Sequence, residues 1–215
     1  MGKPTHIILF SIGRCGSTVV TQTLRYLFQG TRIITTHGYV PKHREHTVVL
    51  IYRDFRDVMT SYWRTEKNIA IRELEDGRMM QEEDVRRWLC VVKMLVGTLQ
   101  RNSDKNPQAM LLAYEAFYGN RFEHLFMRID RCFGRKITDE EKKHIRTHFS
   151  IQANAYAASR LKTFSDVGEN GVHGLHVYRG QVGGWRYMVP GHLHKLVNRE
   201  LCDELKRWGY KPDEI

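Results

Sequence analysis

The chain has 215 residues, of which 41% are hydrophobic, and its 34 Lys and Arg outnumber 24 Asp and Glu to give a formal net charge of +10. This length and hydrophobic content support a domain with a buried core, and they exclude a disordered, fibrous or low-complexity chain. The positive charge favours a polyanionic partner, which could be nucleic acid, phospholipid or a phosphorylated small molecule.

Apolar, β-branched runs alternate along the chain with segments of helical periodicity. In chain order these patterns predict a strand over 6–12, a helix from 19, strands over 32–36 and 47–52, a helix to about 67, a helix over 81–101, a strand over 108–113, a helix over 115–133, a helix that starts after Thr138, and a last helix from Pro190 to about Trp208. The stretch 68–80 is predicted as a loop or lid, and 150–189 is weakly patterned and rich in glycine. The alternation predicts an α/β fold, with a central parallel sheet flanked by helices in a single domain over residues 1–215.

The sequence also carries indications of where the protein resides. No apolar run approaches the roughly 20 residues that span a bilayer, and Arg14 interrupts the N-terminal stretch too early for a signal peptide. Four cysteines are widely spaced and form no C-x-x-C pair: Cys15, Cys90, Cys132 and Cys202. That spacing is typical of a reducing compartment, so we expect a cytoplasmic protein without a membrane span.

The first predicted strand leads into the loop Gly13-Arg14-Cys15-Gly16-Ser17-Thr18 and then into a helix. Strand, glycine-containing turn and helix is the arrangement that directs backbone N–H groups and a helix N-terminus at an anion. The loop is not a Walker A loop, because no Lys precedes Ser17 or Thr18, and it lacks a glycine of the dinucleotide fingerprint. Nor does it match a cysteine phosphatase loop, since Thr21 stands where that loop has its Arg. An anion site and an ordinary strand-to-helix turn both remain possible.

A second cationic position follows the third predicted strand. Arg53 stands at the strand end, and Ser61 follows eight residues later, two helical turns into the next helix. Because the carboxyl ends of parallel strands meet at one edge of a sheet, we expect this pair to face the same crevice as the first loop. Arginine suits phosphate because its planar guanidinium donates two parallel hydrogen bonds.

Five segments, in this order, resemble the sulfotransferases that use 3′-phosphoadenosine 5′-phosphosulfate (PAPS): SIGRCGST, TTH, IYRDFRDVMTSYWR, LAYEAF and YRGQVGGWR. The resemblance extends over nearly the whole chain. It implies a P-loop-like fold that binds PAPS, releases 3′-phosphoadenosine 5′-phosphate (PAP), and requires no metal because arginines and backbone amides neutralise the donor.

The resemblance also implies which residues bind the donor. The first loop would hold the 5′-phosphosulfate, with Cys15 where the family usually has Ser, and Arg53 and Ser61 would hold the 3′-phosphate. Two departures stand out: Ala116 replaces an Asp beside the adenine, and Tyr178 replaces an Arg near the C-terminus. The implied donor-binding residues are Arg14, Cys15, Gly16, Ser17, Thr18, Arg53, Ser61, Tyr114, Arg179 and Gly180.

Sulfuryl transfer depends on positioning and charge stabilisation, as phosphoryl transfer does. Arg14 cannot deprotonate, so we expect it to stabilise the transferring sulfuryl group and the leaving phosphate. His37 ends the second predicted strand on the same rim, where an imidazole can accept the proton of the acceptor. In the family a TH pair supplies this base, although an ordinary loop histidine is the other interpretation of His37.

Two other functions are alternatives to a sulfotransferase. A small-molecule kinase is disfavoured by the missing Walker lysine, and a basic nucleic-acid-binding module by the absence of a binding motif. We expect no nucleic-acid partner. The acceptor, a small molecule, glycan or lipid, is expected near His37, Tyr39 and 62–90. The sequence is compatible with a monomer or a homodimer.

Overall fold

Short aliphatic and β-branched segments pair into a parallel sheet. Its strands are β1 (His6–Ser11), β2 (Arg32–Thr36), β3 (His46–Tyr52) and β4 (Met110–Ala113). They lie in the order β2-β1-β3-β4, and each neighbouring pair is parallel. The inner strands β1 and β3 are apolar along almost their whole length, as strands covered on both faces are. Since Phe10 lies opposite Thr36, β1 and β2 end at the same edge of the sheet.

The structure is a computed structural model that describes residues 4–40, 46–67, 69, 73–74, 76–118, 121–161, 166–168, 171–172 and 181–213. The chain divides into two compact units. Unit 1 comprises Met1–Tyr52 and Leu99–Gly180, and unit 2 comprises Arg53–Thr98 and Gln181–Ile215. The prediction of a single domain over 1–215 stays a prediction.

Helices follow β1, β3 and β4 along the chain. They are α1 (Ser17–Leu27), α2 (Phe55–Glu66), α3 (Glu82–Lys105), α4 (Tyr114–Phe117), α5 (Phe122–Phe133), α6 (Asp139–His148), α7 (Ile151–Ser159), α8 (Trp185–Met188), a 3-10 turn (Gly191–Leu193), α9 (His194–Glu200) and α10 (Cys202–Arg207). The α/β class, the parallel sheet with its helices and the strand–loop–helix at the N-terminus confirm the predicted fold class.

Each unit has its own apolar core. In unit 1, β1 and β3 bury their aliphatic side chains, and α1 and α5 bury the residues of one helical face: Val20, Leu24, Leu125 and Ile129. In unit 2, α2 packs against α8, and the buried set includes Phe55, Val58, Met59, Trp63, Trp185, Val197 and Leu205. Burying one such large side chain stabilises the fold by about 1.5–3 kcal/mol.

Two predicted elements were wrong in their extent. The predicted helix over 115–133 is two helices, α4 and α5, because Tyr118 has an extended backbone with φ −62° and ψ 145°. The predicted last helix from Pro190 is a 3-10 turn followed by α9 and α10, which are separated at Leu201. Gly209 does end it, with a φ of +82°.

The helix α7 lies in the stretch where the sequence pattern was weak. The side chain of Ser150 caps it by accepting from the backbone N–H of Ala153 at 3.1 Å. Asn154 is buried and exchanges hydrogen bonds with Gln22 of α1, at 2.9 and 3.1 Å. A polar contact between residues so far apart in the chain leaves no hydrophobic periodicity, so the pattern could not show it.

Candidate donor and catalytic site

The turn after β1 has an unusual backbone conformation. Gly13, Arg14 and Gly16 have positive φ angles of 81°, 58° and 74°. In the part of the chain that the structure describes, Arg14 is the one non-glycine residue with a positive φ. Such a conformation is costly for an L-residue and persists where the surrounding structure enforces it. Left-handed residues in a turn form the kind of backbone concavity that binds anions.

The N-terminus of α1 has no negative charge of its own. Gly16 is its N-cap residue, makes no side-chain capping bond, and is followed by a first turn without Asp or Glu. A helix N-terminus carries a partial positive charge and exposes N–H groups that have no partner within the helix. The half-buried Ser17 and Thr18 begin this helix, and Arg14 precedes it. These features together fit a bound phosphate or sulfate group.

Gly16 is required in this turn for a steric reason as well. A Cβ atom added to Gly16 would lie 2.8 Å from Cδ2 of Tyr114 and 3.1 Å from Cε2 of Phe117. Tyr114 is buried, and its ring also contacts those of Phe117 and Tyr118. The aromatic side chains of α4 therefore pack directly on the backbone of the loop.

We expect Gly16→Ala to destabilise the protein more than Gly134→Ala does. Both glycines have a positive φ, 74° and 61°, but a Cβ at Gly134 meets nothing within 4 Å. The conformational cost of about 1 kcal/mol is thus common to both, and the clash with Tyr114 adds about 1–3 kcal/mol in Gly16→Ala alone. Urea denaturation measures the two free energies of unfolding. Equal losses would show that the contact with Tyr114 does not constrain the loop.

Cys15 contributes to the loop from inside the protein. Its side chain is buried, and its Sγ donates to the carbonyl of Gly13 at 2.9 Å. The thiol thus stabilises the turn from the protein interior. Because the side chain is buried, only the backbone of Cys15 can contact an anion.

His37 lies directly after β2, at the sheet edge where the loop begins. Its Nδ1 is 2.8 Å from the carbonyl oxygen of Ser11, the last residue of β1. A carbonyl only accepts, so Nδ1 carries the proton and the neutral imidazole has its lone pair on Nε2. The hydroxyl of Ser11 accepts from the backbone N–H of Gly13 at 3.3 Å. One residue therefore orients both the histidine and the first residue of the turn.

Ser11 is a functional candidate that the sequence analysis missed. Ser11 is polar but fully buried, at the end of a strand whose other residues are aliphatic or aromatic. A polar residue at the last position of a buried strand was the available signal, because such a residue needs a partner at the sheet edge.

Asn102 of α3 was also missed. It is fully buried, accepts from the backbone N–H of Val40 at 2.9 Å and donates to the carbonyl of Gly38 at 3.1 Å. These bonds hold the segment after His37. Lys105, one turn further on, donates to the hydroxyl of the exposed Tyr39 at 3.1 Å.

The residues that follow β3 form a buried ionic cluster in unit 2. Arg53 and Asp57 are 8% and 1% exposed, and Nη2 of Arg53 lies 3.4 Å from Oδ2 of Asp57. Arg53 also donates to the carbonyl of Gln181. Asp57 accepts from the backbone N–H groups of Gly183 at 2.8 Å and Trp185 at 3.0 Å. Burial raises the pKa of the Asp57 carboxyl, while Arg53 and these two N–H groups oppose the rise.

The neighbouring Asp54 and Arg56 have a structural role. Asp54 caps α2 by accepting from the backbone N–H of Arg56, and its Oδ2 lies 2.6 Å from Nη2 of the same arginine. The Arg56 guanidinium also donates to Asn198 at 2.6 Å and lies 4.8 Å from the ring centre of Trp185. The two arginines of this block therefore have different partners, which their spacing in the sequence does not reveal.

The predicted site residues fall into three groups. Within unit 1 the loop residues 14–18, His37 and Tyr114 come together at one edge of the sheet. Arg53 and the half-buried Ser61 lie in unit 2, on and just before α2. Arg179 and Gly180, with the departure at Tyr178, lie outside the described residues. That the first two groups form one crevice stays a prediction.

No helix in the described part of the chain is long and apolar enough to cross a membrane. Among the described residues, no three His, Cys, Asp or Glu side chains lie close enough together to hold a metal ion.

Comparison with known proteins identifies the family. The family sequence model of the sulfotransferase domain matches residues 26–208 of the chain. The chain belongs to the sulfotransferase domain family. This match confirms the family resemblance and the enzyme class predicted from the motifs, and it disfavours the kinase and nucleic-acid-binding alternatives. The match begins after the loop at 13–18. The assignment of donor binding to that loop in this sulfotransferase therefore depends on the geometry of the loop.

Solved structures share the fold of this sulfotransferase. Mouse sulfotransferase SULT7A1, complexed with PAP, has a TM-score of 0.64 and 15% identity over 95% of this chain and 86% of its own. Retinol dehydratase, in complex with androsterone and the inactive cofactor PAP, has a TM-score of 0.63 and 14% identity over 96% of this chain and 82% of its own. A complex of retinol dehydratase with retinol and PAP has a TM-score of 0.62 and 15% identity, with coverage of 96% and 82%. No curated protein sequence matches the chain significantly.

Proposed function

We propose that this sulfotransferase transfers the sulfuryl group of PAPS to a hydroxyl or amine of an acceptor, with His37 as general base. The observation that carries the proposal is the bond from His37 Nδ1 to the Ser11 carbonyl. It leaves Nε2 basic at the sheet edge from which the anion-binding turn starts. The PAP complexes of the proteins that share the fold support PAPS as the donor substrate.

The donor would be held by two kinds of contact. The turn with its left-handed residues and the uncapped N-terminus of α1 suit the 5′-phosphosulfate, with Arg14, Ser17 and Thr18 as donors of charge or hydrogen bonds. Arg53 and Ser61 would bind the 3′-phosphate. The assignments of Arg179 and Gly180 to the same phosphate are part of this proposal.

The transfer step follows from these roles. The acceptor oxygen or nitrogen attacks sulfur in line, its proton passes to Nε2 of His37, and the bond from sulfur to the bridging phosphate oxygen breaks. PAP leaves with that electron pair. Negative charge grows on the bridging oxygen, so a fixed guanidinium at Arg14 and N–H donors of the turn stabilise the transition state more than the ground state.

The acceptor is proposed to be a small molecule, a glycan or a lipid that reaches His37 beside Tyr39. Tyr39 is 55% accessible there, so its side chain can contact an acceptor, with Nζ of Lys105 4.3 Å from its ring centre. Androsterone and retinol are the compounds bound in the retinol dehydratase structures. They support a small hydrophobic alcohol as the first acceptor class to screen.

We expect the purified protein to bind PAP without metal and more tightly than Mg-ATP. The reason is that arginine side chains and backbone N–H groups are proposed to neutralise the phosphates of PAP. Isothermal titration with PAP, and separately with ATP plus Mg²⁺, measures both affinities. Incubation with PAPS and a panel of alcohols and phenols then measures transfer. Binding of Mg-ATP alone would favour a kinase. Binding of neither, together with salt-sensitive binding of DNA, would contradict the proposal and favour a nucleic-acid partner.

A further inference from the structure

Asp57 occupies a position that the transfer step leaves unexplained. It is 1% exposed, and its two carboxylate oxygens have three partners in unit 2. Oδ2 accepts from Gly183 N–H at 2.8 Å and lies 3.4 Å from Nη2 of Arg53, and Oδ1 accepts from Trp185 N–H at 3.0 Å. The carboxylate therefore joins a proposed phosphate ligand to a turn far along the chain.

The same turn is attached to Arg53 by a second bond. Nη2 of Arg53 donates to the carbonyl of Gln181, two residues before Gly183. Gly183 has a φ of +77°, and its N–H and that of Trp185 point to the same carboxylate. Residues 181–185, defined here as the Gln181 turn, are thus held to the Arg53–Asp57 pair by three hydrogen bonds.

Stability alone does not account for this arrangement. Removing a carboxylate and a guanidinium from water costs about as much as their attraction returns, so a buried ion pair adds little net stability. The neighbouring Asp54–Arg56 pair already attaches α2 to Asn198 and Trp185. The additional pair has a different consequence, because it gives one guanidinium a defined orientation and ties that orientation to the Gln181 turn.

We propose that Asp57 is a positioning residue that orients Arg53 for the 3′-phosphate and makes phosphate binding stabilise the Gln181 turn. This inference rests on the proposed binding of PAP. Phosphate at Arg53 adds a second anion to the guanidinium, which has five N–H donors and can serve both. The ordered guanidinium keeps its bond to the Gln181 carbonyl, and Asp57 keeps Gly183 and Trp185 in place.

The first test is the PAP affinity of Asp57→Asn. An amide of the same shape loses the charge that orients Arg53, and its NH₂ cannot accept one of the two backbone N–H bonds. We expect PAP to bind about tenfold more weakly, the loss of about one hydrogen bond to a charged group. Asp54→Asn is the matched control, because asparagine also caps helices and Asp54 pairs with Arg56 instead. It should lower the melting temperature while PAP affinity stays at the wild-type value.

A double-mutant cycle separates positioning from a general loss of structure. In the Arg53→Ala background, Asp57→Asn should cost no further affinity for PAP, because the residue that it orients is gone. Asp57→Asn with wild-type affinity, or with the same loss of affinity in both backgrounds, would overturn the inference.

Hydrogen exchange in the wild-type protein tests the coupling without any substitution. The amides of Gly183 and Trp185 donate to Asp57, so PAP should slow their exchange. Unchanged exchange at saturating PAP would overturn the coupling even if Asp57→Asn failed to fold. A wild-type protein that does not bind PAP would overturn the proposed donor site itself, which is a different outcome from binding that leaves these amides unaffected.

Discussion

Replacing His37 with alanine is expected to lower the rate of sulfuryl transfer by about 10²–10⁴-fold while the affinity for PAP stays unchanged. The physical reason is the loss of the basic Nε2, whose lone pair is directed away from the Ser11 carbonyl that binds Nδ1. Single-turnover transfer from PAPS to an acceptor found by screening measures the rate, and calorimetry measures PAP binding. A His37→Ala protein with full turnover would show that another group accepts the proton.

A second substitution distinguishes the base from the hydrogen bond that orients it. In His37→Asn the side-chain NH₂ can still donate to the Ser11 carbonyl, but the side chain has no basic nitrogen. We expect His37→Asn to be as slow as His37→Ala. His192→Ala, in an exposed histidine of the 3-10 turn, is the matched control and should keep the wild-type rate. Recovery of activity in His37→Asn would mean that His37 acts by positioning the loop through Ser11.

Replacing Arg53 with alanine is expected to weaken PAP binding by about 10- to 100-fold, the equivalent of one hydrogen bond between charged groups at about 1.5–3 kcal/mol. The variant also leaves the buried Asp57 without its cationic partner, so its melting temperature should fall. Calorimetry at low temperature, where the variant is folded, measures the affinity, and circular dichroism reports the fold.

Two further variants make the Arg53 result specific. Arg53→Lys retains the charge near Asp57 but not the planar pair of donors, so it should recover stability more fully than affinity. Arg87→Ala removes an exposed guanidinium that pairs with Glu66 on the surface, and should change neither quantity by much. If Arg53→Ala is folded and binds PAP as tightly as the wild type, the assignment of Arg53 to the 3′-phosphate is wrong.

The strand–loop–helix around residues 13–18 was predictable because its signals are local. A buried parallel strand shows as a continuous apolar run, and a turn that must bend sharply shows as glycine. The structure has β1, the positive φ angles at Gly13 and Gly16, and α1 in the predicted places. His37 was found for the same reason, because its place after β2 depends on where one strand ends.

Elements that depend on distant contacts were predicted less well. The helix α7 is held by Asn154 against Gln22, so its stability is not visible in its own residues. The segment after Pro190 has good helical periodicity, yet it breaks at Leu201, whose side chain is fully buried. Periodicity predicts that a segment is helical, and packing against the rest of the unit decides where each helix starts and ends.

Residues 53–57, which follow β3, show the difference between what a sequence pattern predicts and what the folded chain reveals. Their sequence predicted Arg53 as a phosphate ligand, and Arg56 carries the same guanidinium group three residues later. Only the folded chain shows that Arg56 is committed to Asp54 and Asn198, whereas Arg53 is joined to Asp57 and the Gln181 turn. The partners that distinguish the two guanidinium groups include residues more than a hundred positions away, Gln181 for Arg53 and Asn198 for Arg56.

The sequence by itself determined the α/β class, the family, the strand–loop–helix around residues 13–18 and the place of His37 after β2, because each depends on residue types in a short, ordered stretch of chain. The tertiary structure decided which polar residues hold those groups in place. Ser11 orients His37, Asn102 holds the segment after it, and Asp57 joins Arg53 to the Gln181 turn. A buried polar group is stable only where folding brings it a hydrogen-bond partner. Because that partner lies in a different segment, the pattern within one segment does not predict the contact.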